Sequence, residues 1–304
     1  MSTVAQLIDR INREYLYPPR EQPSRTTLNG AINDSVTSVV YTDGILSVEE
    51  ENALGEGVIV QVDRELMLVT AVNTGTWTLT VARGWLGTTA ASHTDGSELV
   101  IAPDYPRQTV FDAVADSLEA LYPDLYVIKT TESTVTGEWA VAPADVGNVK
   151  GANYYHSTLG WKACGVRVLK KFPDSGTGNA FKFAGGVDGA RAYVTYKAMP
   201  TRITAETNDL ADEYDDYYID TTWEAIVILE AVANVAATLD LDAATQEFIT
   251  QSIEAQGFDV GSGETVRDAL LRFAGYKRTL AKKKLMSEES LQIIQSGYAY
   301  GDAG

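Results

Sequence analysis

The chain is poor in the residues that carry metal and redox chemistry. It has one cysteine, Cys164, and two histidines, His93 and His156, in 304 residues. A single thiol excludes an internal disulfide and a four-thiolate zinc site, and no pair of histidines stands at helical ligand spacing. Long apolar runs are missing too: none approaches the ~20 residues that a membrane-spanning helix needs. Basic side chains are scarce, 24 against 42 acidic, which leaves a formal net charge of -18. Such a surface repels a polyanion and argues against wrapping of nucleic acid. The first residues, MSTVAQLIDRINREYL, are amphipathic with charges of both signs, not a basic stub before an apolar core. They do not read as a secretory signal, and synthesis in the cytoplasm is expected.

Catalytic motifs are also wanting. No phosphate-binding loop and no G-x-S-x-G elbow occurs. SGTGNAFK (175–182) has the glycines of a phosphate cradle but lacks the adjacent lysine and hydroxyl, so it reads as a hairpin loop. His93, in SHTDGS, reads as a turn residue bonded to local backbone, and His156, in NYYHSTLGW, as a loop residue. Cys164, within KACGVRV, reads as a small packed residue. No enzymatic activity, cofactor or metal is expected.

What is present is an ordinary hydrophobic share, 45%, on a chain long enough for several cores. Val4, Leu7, Ile8, Ile11 and Tyr15 recur at helical spacing until Pro18-Pro19. Short valine- and threonine-rich runs follow at 36–41, 57–62, 65–70 and 76–82, divided by turn residues such as Thr42-Asp43-Gly44 and Asn73-Thr74-Gly75. A helix is predicted over 106–121, with Val110, Phe111, Val114, Leu118 and Leu121 as its stripe. The strand pattern returns between 125 and 204, in a sandwich-like module. Its aromatic residues Trp139, Tyr154, Tyr155, Trp161 and Tyr193 suit a sandwich core or a sugar-binding platform. The remainder reads as helices at 222–239, 242–256 and 264–285, the first apolar almost all round, as in a buried bundle helix.

These readings predict an α+β fold: a discontinuous helical bundle core carrying two inserted small all-β modules, barrel- or sandwich-like. The core comprises 1–24, 104–123 and 205–286, the β modules 25–103 and 124–204, and an extended tail 287–304. Charge is unevenly placed along it. Residues 205–220 hold Asp209, Asp212, Glu213, Asp215 and Asp216 without a lysine or arginine, which suits a solvated linker or an acidic surface. Residues 264–284 reverse the sign: Arg267, Arg272, Arg278, Lys282 and Lys283 project opposite Val266, Leu270, Phe273 and Leu280 at ~100° per residue. That basic face suits solvation, contact with an acidic neighbour, or contact with phosphates.

The most specific string is LTVARGWLGTTAASHTDGS (79–97), with Arg83, Gly84, Gly87, Thr88, Ala90, His93 and Gly96 as its frame. Its glycines allow tight backbone and its threonines can cap it, so it reads as a structural loop. This R-G-x-x-G-T-x-A-x-x-H-x-x-G element, set after two strands, resembles one in structural proteins of tailed bacteriophages. The layout as a whole is similar to the head-to-tail connector (adaptor) proteins of long-tailed phages, the siphoviruses. The resemblance implies a virion protein of the neck, made in the host cytoplasm. It would close into a homo-oligomeric ring of roughly twelve copies through one repeated heterologous interface. Its partners would be the portal protein, a head-completion (stopper) or tail protein, and genomic DNA passing through the channel without sequence-specific binding; no membrane is implied. The acidic segment would line the lumen or an interface, and the basic helix would meet a neighbour. Leu291, Ile293, Ile294, Tyr298 and Tyr300 would dock on the portal. The two β modules depart from the smallest adaptors, which are nearly all helical. A tail or baseplate protein whose β-sandwich binds host glycan is the alternative.

Overall fold

The computed structural model describes residues 3–298, apart from 19–21, 43, 125–126, 172–177, 186–187, 199–201, 208–220 and 262. Within helices and strands it leaves out the side chains of 48, 51–52, 127–128, 221–222 and 285–298. The chain divides into two compact units. One comprises 1–4, 115–227 and 275–304, and the other 5–114 and 228–274.

The unit containing 5–114 is organised by one antiparallel sheet. Its strands are β1 (Arg25–Thr27), β2 (Ser38–Val40), β3 (Ile59–Val62), β4 (Glu65–Asn73), β5 (Thr78–Ala82) and β6 (Glu98–Ile101), in the order β1-β6-β3-β4-β5-β2. The two outer strands are themselves tied by a Leu28–Tyr41 bridge, so the sheet curls round upon itself. Alternation explains the curl: Val60, Val62, Met67, Val69, Leu79 and Leu99 turn inward and are buried. Helix α1 (Val4–Ile11) widens into a single π turn, Asn12–Leu16. A short helix α2 (Val48–Ala53) follows β2. Helix α5 (Ala243–Ala255) starts at an Asp242 cap whose carboxylate accepts the Thr245 amide at 2.6 Å. It meets the π turn through Ser252 Oγ to the Glu14 carbonyl and Gln256 Nε2 to the Tyr15 hydroxyl.

Among the described residues the unit containing 115–227 holds seven strands: β7 (Val127–Thr134), β8 (Trp139–Val141), β9 (Val146–His156), β10 (Gly160–Cys164), β11 (Val166–Lys170), β12 (Asn179–Phe183) and β13 (Arg191–Ala198). They form a four-stranded sheet, β10-β9-β13-β7, and a three-stranded sheet, β11-β12-β8, with every neighbouring pair antiparallel. The two sheets share one core, in which Phe181, Phe183, Ala152, Val194 and Tyr196 are buried. The remaining helices are α3 (Arg107–Ala120), α4 (Thr221–Thr238) and α6 (Val266–Tyr298). No helix among the described residues is long and apolar enough to cross a membrane.

The expected discontinuous helical bundle core is corrected. Helix makes up 33% of the chain, and sheets organise it. Helical residues are divided between the two units, and the Val/Leu/Met and Phe/Tyr clusters are built on sheets. An apolar helix such as α4, with Ile226, Val227, Val232 and Val235 fully buried, reports that something covers it. It does not report whether the cover is helix or sheet. The tail also differs from expectation: α6 stays helical through Tyr298 where an extended segment was predicted from 287. The stretch Met286–Gln295 offers good helix formers, with no proline or glycine to stop the ladder.

Candidate functional site

The RGWLGTTAASH segment is fastened by a buried ion cluster. Strands β3 and β4 form a hairpin with Val62 opposite Glu65, so only Asp63 and Arg64 make the turn, and Asp63 adopts φ 51°. Aspartate tolerates this left-handed conformation better than most residues. Glu65 opens β4 ahead of the apolar run Leu66–Val69, yet its side chain is only 1% exposed. Arg83, just past β5, is 6% exposed and donates to it from Nε at 2.6 Å and Nη2 at 2.7 Å. The same carboxylate accepts the Gly84 amide at 3.1 Å, the Ala91 amide at 3.0 Å and His93 Nε2 at 2.9 Å.

The three buried members, Glu65, Arg83 and His93, are saturated. Arg83 Nη1 donates to the carbonyls of Asn33 and Val36, and Nη2 also to that of Ala91, so all five guanidinium hydrogens have acceptors. His93, with a side chain 2% exposed, places Nδ1 2.8 Å from Asp63 Oδ2. Both of its ring nitrogens therefore face carboxylate oxygens, an arrangement that fits an imidazolium donating twice. Burial alone would lower the His93 pKa, but the bonds to Asp63 and Glu65 outweigh it and raise the value. Burial would likewise raise the Glu65 carboxyl; Arg83, His93 and the two amides overcome this and hold it at about 2. Asp63 is lowered by its bond to His93.

The backbone of the loop answers to the same anchors. Gly84 adopts φ 62°, and a Cβ there would stand 3.0 Å from the Thr88 carbonyl. Thr88 Oγ1 accepts the Leu66 amide at 3.1 Å and donates to the Trp85 carbonyl at 2.9 Å. Between these fixed points Leu86 is held at φ 51°, which a branched side chain rarely adopts. Trp85 and Leu86 point outward, 37% and 70% exposed. Beside them lies a cavity of about 850 Å³, lined among others by Leu86, Thr88, Ser92, His93, Pro106 and Asp112. A second cavity of about 320 Å³ is charged, but Arg25 pairs with Glu98 at 3.0 Å and Arg107 with Asp9 at 2.6 Å. Among the described residues no cluster of His, Cys, Asp and Glu could hold a metal ion.

The structure thus brings together Arg83, Gly84, Thr88 and His93, with Gly87 at φ 83° closing the turn. His93 differs from its reading as a turn residue bonded to local backbone: its side chain is buried and bonded to two carboxylates. Sequence reasoning missed Glu65 and Asp63. A carboxylate at an inward position of an alternating strand was the available clue. Of the basic helix residues, Arg272 stacks over Phe258 and pairs with Glu264, while Arg278 and Lys282 approach Asp124. Arg267 and Lys283 are exposed. Asp209, Asp212, Glu213, Asp215, Asp216 and Tyr300 lie outside the described residues, as do the side chains of Leu291, Ile293, Ile294 and Tyr298. His156 sits in the β9–β10 hairpin and accepts the Thr158 amide, and Cys164 packs beside the second core. Neither a family model nor a curated protein matches the chain.

Proposed function

We propose that the chain is a structural protein of a tailed-phage virion, an assembly component of the head-to-tail junction that joins portal to neck. One observation carries this reading. The ion cluster at 83–93 is saturated by its own loop and strands, and the same bonds present Trp85 and Leu86 to solvent on a rigid base. Glu65, Arg83 and His93 keep no spare donor or acceptor, and two projecting apolar side chains on a stiffened loop suit a protein contact. Identical subunits would repeat that contact as a heterologous interface and close into a ring. The excess of acidic residues, 42 over 24, agrees with a lumen that repels DNA and lets it pass.

The test is assembly. Native mass spectrometry of the full chain, alone and mixed with portal rings, should reveal cyclic oligomers or a stoichiometric complex. Leu86→Asp should abolish both while leaving thermal unfolding unchanged. A strictly monomeric chain that ignores portal would overturn the reading.

A further inference from the structure

The outer face of the β10-β9-β13-β7 sheet carries three aromatic rings in a row. Register sets Trp161 opposite Tyr155 and Tyr193 opposite Asn153, and strand alternation puts all four on one face. The Tyr155 and Trp161 rings lie 5.4 Å apart between centroids, and Trp161 and Tyr193 4.8 Å. The opposite face supplies the core through Ala152, Val194 and Tyr196, so these rings are not core residues. Tyr155 is 47% exposed and Trp161 46%.

The surroundings of the rings are small and polar. Gly151 shares their face opposite Thr195, and a Cβ added there would meet nothing within 4 Å. The surface beside the aromatic row is therefore open. Thr195 and Thr130 bring their hydroxyls within 3.1 Å of each other, and Asn153 is exposed. Glu132 accepts from the Tyr193 hydroxyl at 2.9 Å and pairs with Arg191, and each of its oxygens keeps a further lone pair. That pair is balanced in charge where it borders Tyr193.

We propose that this face binds a neutral pyranose oligosaccharide. The C–H face of one sugar ring would lie on Trp161 and Tyr155, with its hydroxyls reaching Asn153 and Glu132. Aromatic faces are electron-rich and attract the weakly positive C–H groups of a sugar. Beside the rings Arg191 is ion-paired with Glu132; Lys197 and Lys150 stand further along β13 and β9, and the heparin arm reads whether they draw an anion instead. The proposal requires no particular position in the virion, so it stands or falls apart from ring assembly.

The experiment uses the full chain on a glycan array, followed by calorimetric titration with neutral tetrasaccharides of glucose, mannose and N-acetylglucosamine, and a heparin tetrasaccharide as the anionic control. At least one neutral glycan should bind. Trp161→Ala and Tyr155→Ala should each weaken it about tenfold or more, as loss of ~1.4 kcal/mol of ring contact implies. Trp85→Ala should change nothing. Because Trp161 lies on an outer strand, circular dichroism should show both variants folded, and Asn153→Ala gives a second, milder loss. Silence towards every neutral glycan, equal binding by Trp161→Ala, or preference for heparin would overturn the proposal. So would a Trp161→Ala variant that binds sugar normally but loses self-association, which would make the face a protein contact.

Discussion

Replacing Glu65 by glutamine removes one charge from the cluster at constant shape. Arg83 and His93, 6% and 2% exposed, would then lose their shared counter-ion. Breaking a buried pair from one side typically costs about 3–5 kcal/mol. The carboxyl's own displacement gives a similar figure. Held at about 2 instead of 4.5, it stabilises the folded loop by about 3 kcal/mol at neutral pH, at ~1.36 kcal/mol per pH unit. The sign follows from a lowered acid: the contribution is complete above pH 4.5 and is lost as pH falls towards 2. His93 acts in the other direction. Its pKa is raised, so its contribution is complete below 6.5 and fades as pH climbs through the folded value. The cluster should therefore hold the loop most firmly between 4.5 and 6.5. Hydrogen exchange of peptides covering 83–93 reads local opening without assuming that the two units unfold together. In Glu65→Gln it should accelerate about a hundredfold at pH 6, and the difference from wild type should shrink at pH 3. Less than a fivefold change, or a difference independent of pH, would refute the assignment of the cluster as the fastening of this loop.

Further outcomes follow from the same contacts. Gly84→Ala should destabilise the same unit by about 1–2 kcal/mol, from left-handed strain alone, and more if Thr88 cannot yield; chemical denaturation checks it. Arg83→Lys has too few donors for Glu65 and the carbonyls of Asn33, Val36 and Ala91, and should cost about 2 kcal/mol or more despite keeping the charge. Asp242→Ala removes the α5 cap and should lower stability by about 1 kcal/mol, read by the same denaturation with unaltered spectra.

Much of the first sheet was legible because its strands are short valine-, leucine- and threonine-rich runs and its turns carry Asp, Asn and Gly. The runs at 57–62, 65–70 and 76–82 lie on β3, β4 and β5. The site was half legible. Arg83, Gly84, Thr88 and His93 stand in one string, but their acceptor Glu65 lies 18 residues before Arg83 and meets it only when the hairpins close. Strands β9 and β10 escaped notice because KGANYYHSTLGWKA mixes glycine, lysine and asparagine with aromatics, which blurs a period of two. Hence Tyr155 and Trp161 were indistinguishable from core residues until their register was known, whereas Tyr154, one residue away, does pack against the core. Helical periodicity located α3, α4 and α5, yet it names no packing partner. That gap produced the mistaken bundle.

In the proposed ring the stiffened loop presents Trp85 and Leu86 to another subunit. Sedimentation velocity on wild type, Leu86→Asp and Trp85→Ala, each with and without portal rings, tests it most directly. The account predicts ring-sized or portal-bound wild type and monomeric variants with unchanged melting. Wild type and variants sedimenting alike, as monomers or as rings, would contradict it.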